Sequence, residues 1–227
     1  MTSVWWPDAP PAVAGSRDDE FDGESGGVPN LWTEVDHGAH QTVSEDALGL
    51  VLSQATHVGE SVSGIYKAIP AGDFSVWSRI SLSTLMEGSA AQGGLGLWEN
   101  ATSSTGDVVT YSITPTSDIR VETRAAYNVI ATATDTEDLG GDMPSHVYLR
   151  IRRSGTTYSF DFSSNGVGWL RTYTGALAFT PTHFGPVMQN VNTGVTVTAR
   201  FSFFRYADSD VGPTGLMQGD RIRFTRI

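Results

Sequence analysis

The sequence contains no cysteine, one lysine and no long apolar run. Without cysteine, a chain of 227 residues has no disulfide scaffold, no thiolate zinc or iron–sulfur site and no cysteine nucleophile. No stretch approaches the ~18 apolar residues that a membrane-spanning helix requires. The first residues, as far as Arg17, have neither a basic start nor an apolar segment. We therefore expect no signal peptide and no membrane attachment.

Positive charge is scarce overall but concentrated late in the chain. The 25 acids and 14 bases give a formal net charge of −11, which argues against nucleic acid or an anionic membrane as a partner. Residues 1–149 hold 21 acids and 5 bases, whereas residues 150–227 hold 4 acids and 9 bases. Such asymmetry can steer head-to-tail contacts between copies or attract a charged partner, but the favoured interpretation is that the two stretches neutralise each other within one fold.

Alternation of apolar and polar residues is the main structural signal. Val147, Leu149 and Ile151 alternate with polar neighbours, and the runs 158–163 and 195–203 repeat this period of two, with glycine-containing turns between them. Strands at spacings of about 8–12 residues predict an all-β fold, a two-sheet antiparallel sandwich or jelly roll. We place this sandwich at residues 18–206, between an N-terminal arm (1–17) and a C-terminal extension (207–227) that ends in a further strand.

One segment fits two structures. Ser44 precedes two acids, as at a helix start, but Leu48, Leu50 and Leu52 alternate and Gly49 weakens a helix. We predict a strand over 44–55 and no helix in the chain.

Several strings occur in an order typical of one superfamily. They are DDEFDGES followed by LWTEVDHG, then IPAGDFSVWSRI, GGLGLWEN, VYLRIRRSGTTYSFDFSSNGVGW and FTPTHFGPVMQNVNTGVTVTARFSFFRY. Together they resemble the concanavalin A-like lectin/glucanase superfamily, most closely the DUF1349-type domains and the sandwich domains appended to some family 43 glycoside hydrolases. The resemblance implies a jelly roll of two curved antiparallel sheets. This fold hosts enzymes, lectins and structural modules, so it does not supply a function.

The residues do not predict catalysis. Laminarinase-type enzymes of this superfamily carry a Glu-x-Asp-x-x-Glu strand whose two glutamates act as nucleophile and general acid. The near match here begins at Glu34 and Asp36 but has Ala39 in place of the second glutamate, and Glu99 has no acid two positions away. We therefore predict a protein that is not an enzyme and has no catalytic residues.

A metal site is an open alternative. Asp18, Glu20, Asp22 and Gly23 resemble the opening of a calcium loop, but Pro29 stands where an EF-hand needs its glutamate. Related sandwiches bind one structural calcium with help from an acid on the last strand, where this sequence has Ser202. We predict no metal ligands and no cofactor, with a structural calcium as the alternative.

A carbohydrate site is predicted at the end of one strand. Trp98, Glu99 and Asn100 combine an aromatic ring with hydrogen-bonding groups, and Arg124 and Tyr127 join them from neighbouring strands. If Leu95 and Leu97 face the core, Trp98 and Asn100 face the opposite side. The alternative is that Trp98 packs under a loop.

The two extensions suggest docking. Trp5 and Trp6 in the arm, and Arg221, Arg223 and Phe224 in the terminal strand, are residue types suited to adding a strand to a neighbour or wrapping around it. The alternative is that both extensions fold back on their own sandwich.

These features favour a non-catalytic structural or adhesion protein of a larger assembly. The expected setting is a phage virion, as a capsid decoration, head fibre or tail-associated protein whose lectin-like sandwich binds surface glycans. Its expected partners are copies of itself or other virion proteins. The alternatives are a free carbohydrate-binding protein and, less favoured, a glycoside hydrolase.

Overall fold

A computed structural model describes residues 19–21, 27–29, 31–55, 61–82, 91–114, 118–138, 146–190 and 196–207, without the side chains of 132–138. The arm 1–17 and all of the C-terminal extension except Ala207 lie outside the described residues. The docking predictions for Trp5, Trp6, Arg221, Arg223 and Phe224 therefore lie outside them too. Among the described residues there is no helix that could cross a membrane.

The described chain forms fourteen strands in two antiparallel sheets. In chain order they are β1 (Thr33–Val35), β2 (Gln41–Asp46), β3 (Gly49–Gln54), β4 (Val62–Ala68), β5 (Phe74–Leu82), β6 (Gln92–Trp98), β7 (Val108–Ile113), β8 (Asp118–Ala126), β9 (Val129–Asp138), β10 (Val147–Ser154), β11 (Thr157–Ser163), β12 (Leu170–Ala176), β13 (His183–Gln189) and β14 (Val197–Ala207). Sheet I has the order β1-β4-β13-β6-β7-β8-β9, and sheet II has the order β12-β11-β10-β5-β14-β3-β2. This confirms the predicted all-β, two-sheet sandwich.

The inner faces of the two sheets form one apolar core, as the period of two predicts. On β10, Leu149 and Ile151 are fully buried in this core, and Phe160 of β11 joins them. From sheet I, Leu95 and Leu97 of β6 enter the same cluster. Side chains that alternate with these residues lie on the outer faces, where the charged and polar groups of both sheets are found.

The segment 44–55 is a hairpin rather than the single strand we predicted. Strands β2 and β3 pair antiparallel, with Asp46 opposite Gly49, and Asp46 Oδ1 accepts a hydrogen bond from Leu48 N at 2.8 Å. Gly49 has a φ of 131°, and a Cβ at this position would lie 2.2 Å from Phe201 O. Leu48 is 70% exposed at the turn, so it does not share the buried face of Leu50 and Leu52. The absence of a helix here agrees with the sequence.

Strand β14 breaks its alternation near the middle. Its register against β5 shifts between Phe201 and Phe204. Phe201 and Phe204 are both fully buried in the core, whereas Phe203 packs on the outer face of sheet II. The expectation that Phe203 continues the buried run is therefore wrong, because a β-bulge adds one residue between the two core positions.

Candidate functional site

Trp98 and Arg124 lie on the outer face of sheet I. The register sets Trp98 opposite Val108 of β7, and Val108 opposite Arg124 of β8. Since Leu95 and Leu97 enter the core, the strand turns Trp98 to the other side, as expected. One strand, β7, therefore separates these two predicted site residues on the same face.

Trp98 is buried rather than open to a ligand. Its side chain is 2% exposed and packs with Val62, Val108 and Val187. The ring also lies over Gly96, where a Cβ would come within 3.0 Å of it. This packing corresponds to the alternative in which Trp98 fills a structural position, and it leaves no ring face for a sugar.

His183 lies beside this cluster, with its ring edge-on to Tyr66 at 4.8 Å between centroids. Burial lowers the pKa of the His183 imidazole below its ordinary value. Its Nδ1 lies 2.7 Å from Thr182 Oγ1, and that hydroxyl donates to Glu99 O. A neutral histidine is therefore part of the packing around Trp98.

Glu99 and Asn100 are exposed but serve the turn between β6 and β7. Glu99 Oε2 accepts a hydrogen bond from Asp107 N at 3.3 Å, across the base of this hairpin. Asn100 Oδ1 accepts from the backbone N and the hydroxyl of Thr102, at 3.1 and 2.7 Å. The side-chain oxygen of Asn100 thus stabilises the local turn.

Arg124 is the centre of a buried ion-pair network. Its Nη2 donates to Glu122 Oε2 at 2.7 Å and to Gln189 Oε1, and the Arg124 side chain is fully buried. The second oxygen of Glu122 accepts from Gln92 Nε2 at 3.0 Å and Arg120 Nη1 at 3.3 Å. The crevice beside the network is too small for a water molecule. Its walls are Val62, Gln92, Thr110, Ser112, Val187, Met188 and Gln189. The network thus stabilises the outer face, and both oxygens of Glu122 and the side-chain amides of Gln92 and Gln189 are engaged within it.

An open depression of about 410 Å³ lies where the edge strands β1 and β2 approach each other. It is lined by Glu34, Asp36, Ala39 and Gln41. Gln41 Nε2 donates to Glu34 Oε1 at 3.2 Å and to Gly64 O at 3.1 Å, so one amide connects the two edges. Polar side chains therefore meet at an accessible site on the described surface.

A ring pair begins one residue along the chain from Asp36. His37, which follows Asp36 directly, lies 5.1 Å from Tyr127 between ring centroids. Tyr127 is half-buried, and its carbonyl accepts a hydrogen bond from Val62 N at 2.9 Å, which fixes the position of the turn. Of the five predicted sugar-binding residues, Tyr127 is therefore the one that contacts the neighbour of a residue lining the depression, although it does not line the depression itself.

The sequence alone does not predict this depression. In the sequence, Glu34 and Asp36 match only an incomplete catalytic strand. Their spacing of two places both carboxylates on one side of the extended chain, and Gln41 reaches them from the next strand. Only the meeting of two sheet edges, which no local pattern shows, reveals that they share an opening.

Of the residues considered for a structural calcium, those that the structure describes form other contacts. Glu20 forms an ion pair with Arg205, and Ser202 Oγ accepts a hydrogen bond from Arg79 Nε at 3.0 Å. Among the described residues, no three acidic or histidine side chains are grouped closely enough to hold a metal ion. Asp18, Asp22 and Gly23 lie outside the described residues.

No protein-family model matches the sequence, and no curated protein matches it. Solved structures do match the fold. The GH43 BlXynB protein from Bacillus licheniformis superposes with a TM-score of 0.64 at 14% identity, covering 86% of this chain and 40% of that one. The xylan beta-1,4-xylosidase from Bacillus halodurans C-125 matches with a TM-score of 0.59 at 15% identity, over the same shares of the two chains. This chain therefore spans less than half the length of these two proteins.

A third match covers nearly the whole of its counterpart. A prokaryotic beta-1,3-1,4-glucanase (lichenase) derived from a mouse hindgut metagenome has a TM-score of 0.56 at 10% identity, over 84% of this chain and 98% of that one. At such identities the similarity is one of fold. It confirms the architecture that the sequence strings indicated.

Proposed function

Because the chain has the concanavalin A-like jelly-roll fold, we propose that it is a non-catalytic carbohydrate-binding protein and a structural or adhesion part of a larger assembly. The observation that carries the proposal is the open depression at Glu34, Asp36 and Gln41, with the Tyr127–His37 ring pair starting one residue along the chain from Asp36. Carboxylates and amides hydrogen-bond sugar hydroxyls, and an aromatic ring covers the apolar face of a sugar.

The size of the depression supports a saccharide. Its volume of about 410 Å³ falls in the range of roughly 300–1,000 Å³ typical of small-molecule sites. The groups that line it are held in place before any ligand arrives. Asp36 Oδ2 accepts from Gln41 N at 2.8 Å, and Gln41 Nε2 is shared between Glu34 and Gly64. Such preorganisation reduces the entropy lost on binding.

The hydrogen bonds of the carboxylates support a binding role rather than acid–base chemistry. Both oxygens of Asp36 accept from backbone N–H groups, those of Gly38 and Gln41. A carboxylate used in this way stabilises a turn while its remaining lone pairs can accept hydrogen bonds from a sugar. Glu34 similarly receives the Gln41 amide.

The first test is glycan binding by the full chain, first on a glycan array and then by calorimetry with the best ligand. Glu34→Gln and Tyr127→Ala should each weaken binding by about tenfold or more, since each removes a hydrogen bond to a charged group or a stacking ring. Glu99→Gln is the matched control, because this exposed carboxylate lies in the β6–β7 turn, and it should leave affinity unchanged. Equal losses in Glu34→Gln and Glu99→Gln would contradict the proposed site.

The same samples test the enzymatic alternative. Purified protein incubated with β-glucan and xylan should release no reducing sugar. Release that is abolished by Glu34→Gln would overturn the non-catalytic assignment and favour a glycoside hydrolase.

The setting we propose is a phage virion, with copies of this chain or other virion proteins as partners. The acidic first part of the chain and its basic last part support such contacts. The genes flanking its own are the direct observation. Capsid or tail genes are expected there, and a neighbourhood of sugar-uptake and metabolic genes would instead favour the free carbohydrate-binding protein.

A further inference from the structure

Three guanidinium groups converge on one carboxylate on the outer face of sheet II. Asp161 of β11 faces Arg150 on β10 and Arg171 on β12, and Arg152 lies two positions along from Arg150. Asp161 Oδ2 accepts from Arg152 Nε at 2.9 Å and lies 3.1 Å from Arg150 Nη2, while its Oδ1 accepts from Arg171 Nε at 3.1 Å. We call these four residues the arginine cluster.

The arginine cluster carries excess positive charge in a largely buried place. Three guanidinium groups and one carboxylate leave two positive charges unbalanced, in a chain whose net charge is −11. The side chains of Arg150 and Arg152 are 2% and 12% exposed, whereas Arg171 is 43% exposed. Burial, together with the neighbouring arginines, lowers the pKa of Arg150 to about 10 despite the carboxylate of Asp161. Cations held together out of water are stabilised by a further anion.

Two donors at the cluster are buried without acceptors. The Arg150 guanidinium stacks on the ring of Trp169 at 4.1 Å, and Trp169 is 3% exposed. Its indole Nε1 has no hydrogen-bond partner, and neither has Arg152 Nη2. Indole and guanidinium groups donate but never accept. The missing partner of both must therefore be an acceptor, and the local charge selects a negatively charged one.

The surroundings suit a sugar that carries such a group. Ser159 faces Arg152 across the β10–β11 pair, and its hydroxyl lies 3.2 Å from that of the exposed Thr174 on β12. Arg171 provides the exposed side of the cluster. Hydroxyls beside a fixed set of cationic donors can hold both the hydroxyls and the acidic group of a saccharide.

We propose that the arginine cluster, with Trp169, binds the oxyanion of an acidic saccharide, either the carboxylate of a uronic acid or a sulfate ester. This inference rests on the proposed carbohydrate-binding function and adds a second site, toward the edge of sheet II opposite β2. The arginines that face Asp161 through Nε keep their remaining N–H groups for the oxyanion, whose geometry matches a guanidinium fork.

The test is calorimetry on the full chain at about 0.15 M ionic strength, where exposed charges are largely screened. Trigalacturonate is the carboxylate probe, a sulfated carrageenan oligosaccharide is the sulfate probe, and xylotriose is the neutral reference. Wild type should bind at least one acidic probe. Binding of one or both then identifies the acidic group.

The variants remove donors without opening the core. Arg171→Gln removes the exposed guanidinium, and Trp169→Phe keeps the ring under Arg150 but removes the N–H. Each should weaken binding of the acidic probe about tenfold or more, as expected for a lost charge-assisted hydrogen bond. The matched control is Arg200→Gln, which makes the same change of charge on sheet II at an arginine paired with Asp46. It should leave the affinity within about twofold.

Three results would overturn the proposal. They are failure of wild type to bind either acidic probe, equal losses in Arg171→Gln and Arg200→Gln, and loss of self-association in Arg171→Gln with sugar affinity unchanged. The last would identify an acidic segment of a second copy as the occupant. A different pattern would separate the two proposals: acidic-probe binding that depends on Arg171, with no binding of neutral glycans and no effect of Glu34→Gln. It would contradict the proposed sugar site at Glu34 and support the site at the arginine cluster.

Discussion

On this fold, the role of a side chain depends on which face of the sheet it occupies and on the groups that pack against it there. Trp98 has the residue type expected of a sugar platform, yet its ring packs on Gly96 and Val187. Arg124 likewise donates hydrogen bonds to Glu122 and Gln189. Trp169 is equally buried, but its polar atom lacks a partner. A buried aromatic residue therefore indicates a ligand only when its hydrogen bonding is incomplete.

Removing the Trp98 ring should cost stability. Trp98→Ala leaves a cavity among Val62, Val108 and Val187 and should lower the free energy of unfolding by about 3–5 kcal/mol. Tyr127→Ala, at a half-buried ring, is the control and should cost clearly less. Urea denaturation measures both. A stable Trp98→Ala variant that has lost glycan binding would show instead that the ring serves a ligand.

The ion pair between Asp46 and Arg200 gives a second residue-level prediction. Two guanidinium nitrogens lie 2.5 and 2.9 Å from the two carboxylate oxygens, and hydrogen bonding to Arg200 is the main cause that lowers the pKa of Asp46 below 3.8. The stabilisation from this pair is present above pH 3.8 and is lost as the pH falls through the lower folded-state pKa.

Arg200→Gln should therefore raise the pKa of Asp46 toward 3.8, which an NMR titration of its carboxyl carbon measures. Arg153→Gln, a change of the same charge on β10, serves as the control. An unchanged Asp46 pKa in Arg200→Gln would contradict the ion pair.

At the level of strands, the sequence predicts alternation well and interruptions poorly. The inward sets on β10 and β11 follow directly from apolar residues spaced by two. The bulge in β14 does not, because Phe203 and Phe204 are both aromatic and either fits a core. The β2–β3 turn was missed for a similar reason, since Leu48 continues an apolar alternation although it is exposed. The depression at Glu34 depends on two strands from different sheets, so no single run of residues encodes it.

The bulge can be tested by comparing neighbours on β14. Phe204 stacks on Phe184 at 5.4 Å between centroids and meets Trp32 edge-on at 5.0 Å. Phe204→Ala should lower the free energy of unfolding by about 3–5 kcal/mol, and Phe203→Ala, on the half-buried outer face, should cost much less. Unbroken alternation from Phe201 requires the opposite order, which denaturation of the two variants would reveal.

At the scale of the whole molecule, most of the basic residues in the last part of the sequence lie on one sheet. Six of the nine bases in residues 150–227 lie on described strands of sheet II: Arg150, Arg152, Arg153, Arg171, Arg200 and Arg205. Asp161, Asp46 and Glu20 each pair with one or more of them. Part of the asymmetry is therefore neutralised within the fold, whereas the arginine cluster sets three guanidinium groups against one carboxylate. The C-terminal extension adds Arg221, Arg223 and Arg226 in its last seven residues, after Asp208, Asp210 and Asp220.

Self-association is the prediction that belongs to the whole chain. If the basic terminal run 221–227 docks on the acidic region of another copy, light scattering should give a mass that is a multiple of 24.3 kDa. Association should weaken at about 0.5 M salt, where the Debye length is only a few ångströms. The double change Arg221→Gln and Arg223→Gln should weaken it too, whereas Arg153→Gln with Arg200→Gln alters the total charge equally and should not. A mass of one chain at every concentration and salt would contradict assembly through this terminal run. Association lost equally in both double variants would mean that total charge, rather than a docked extension, holds the copies together.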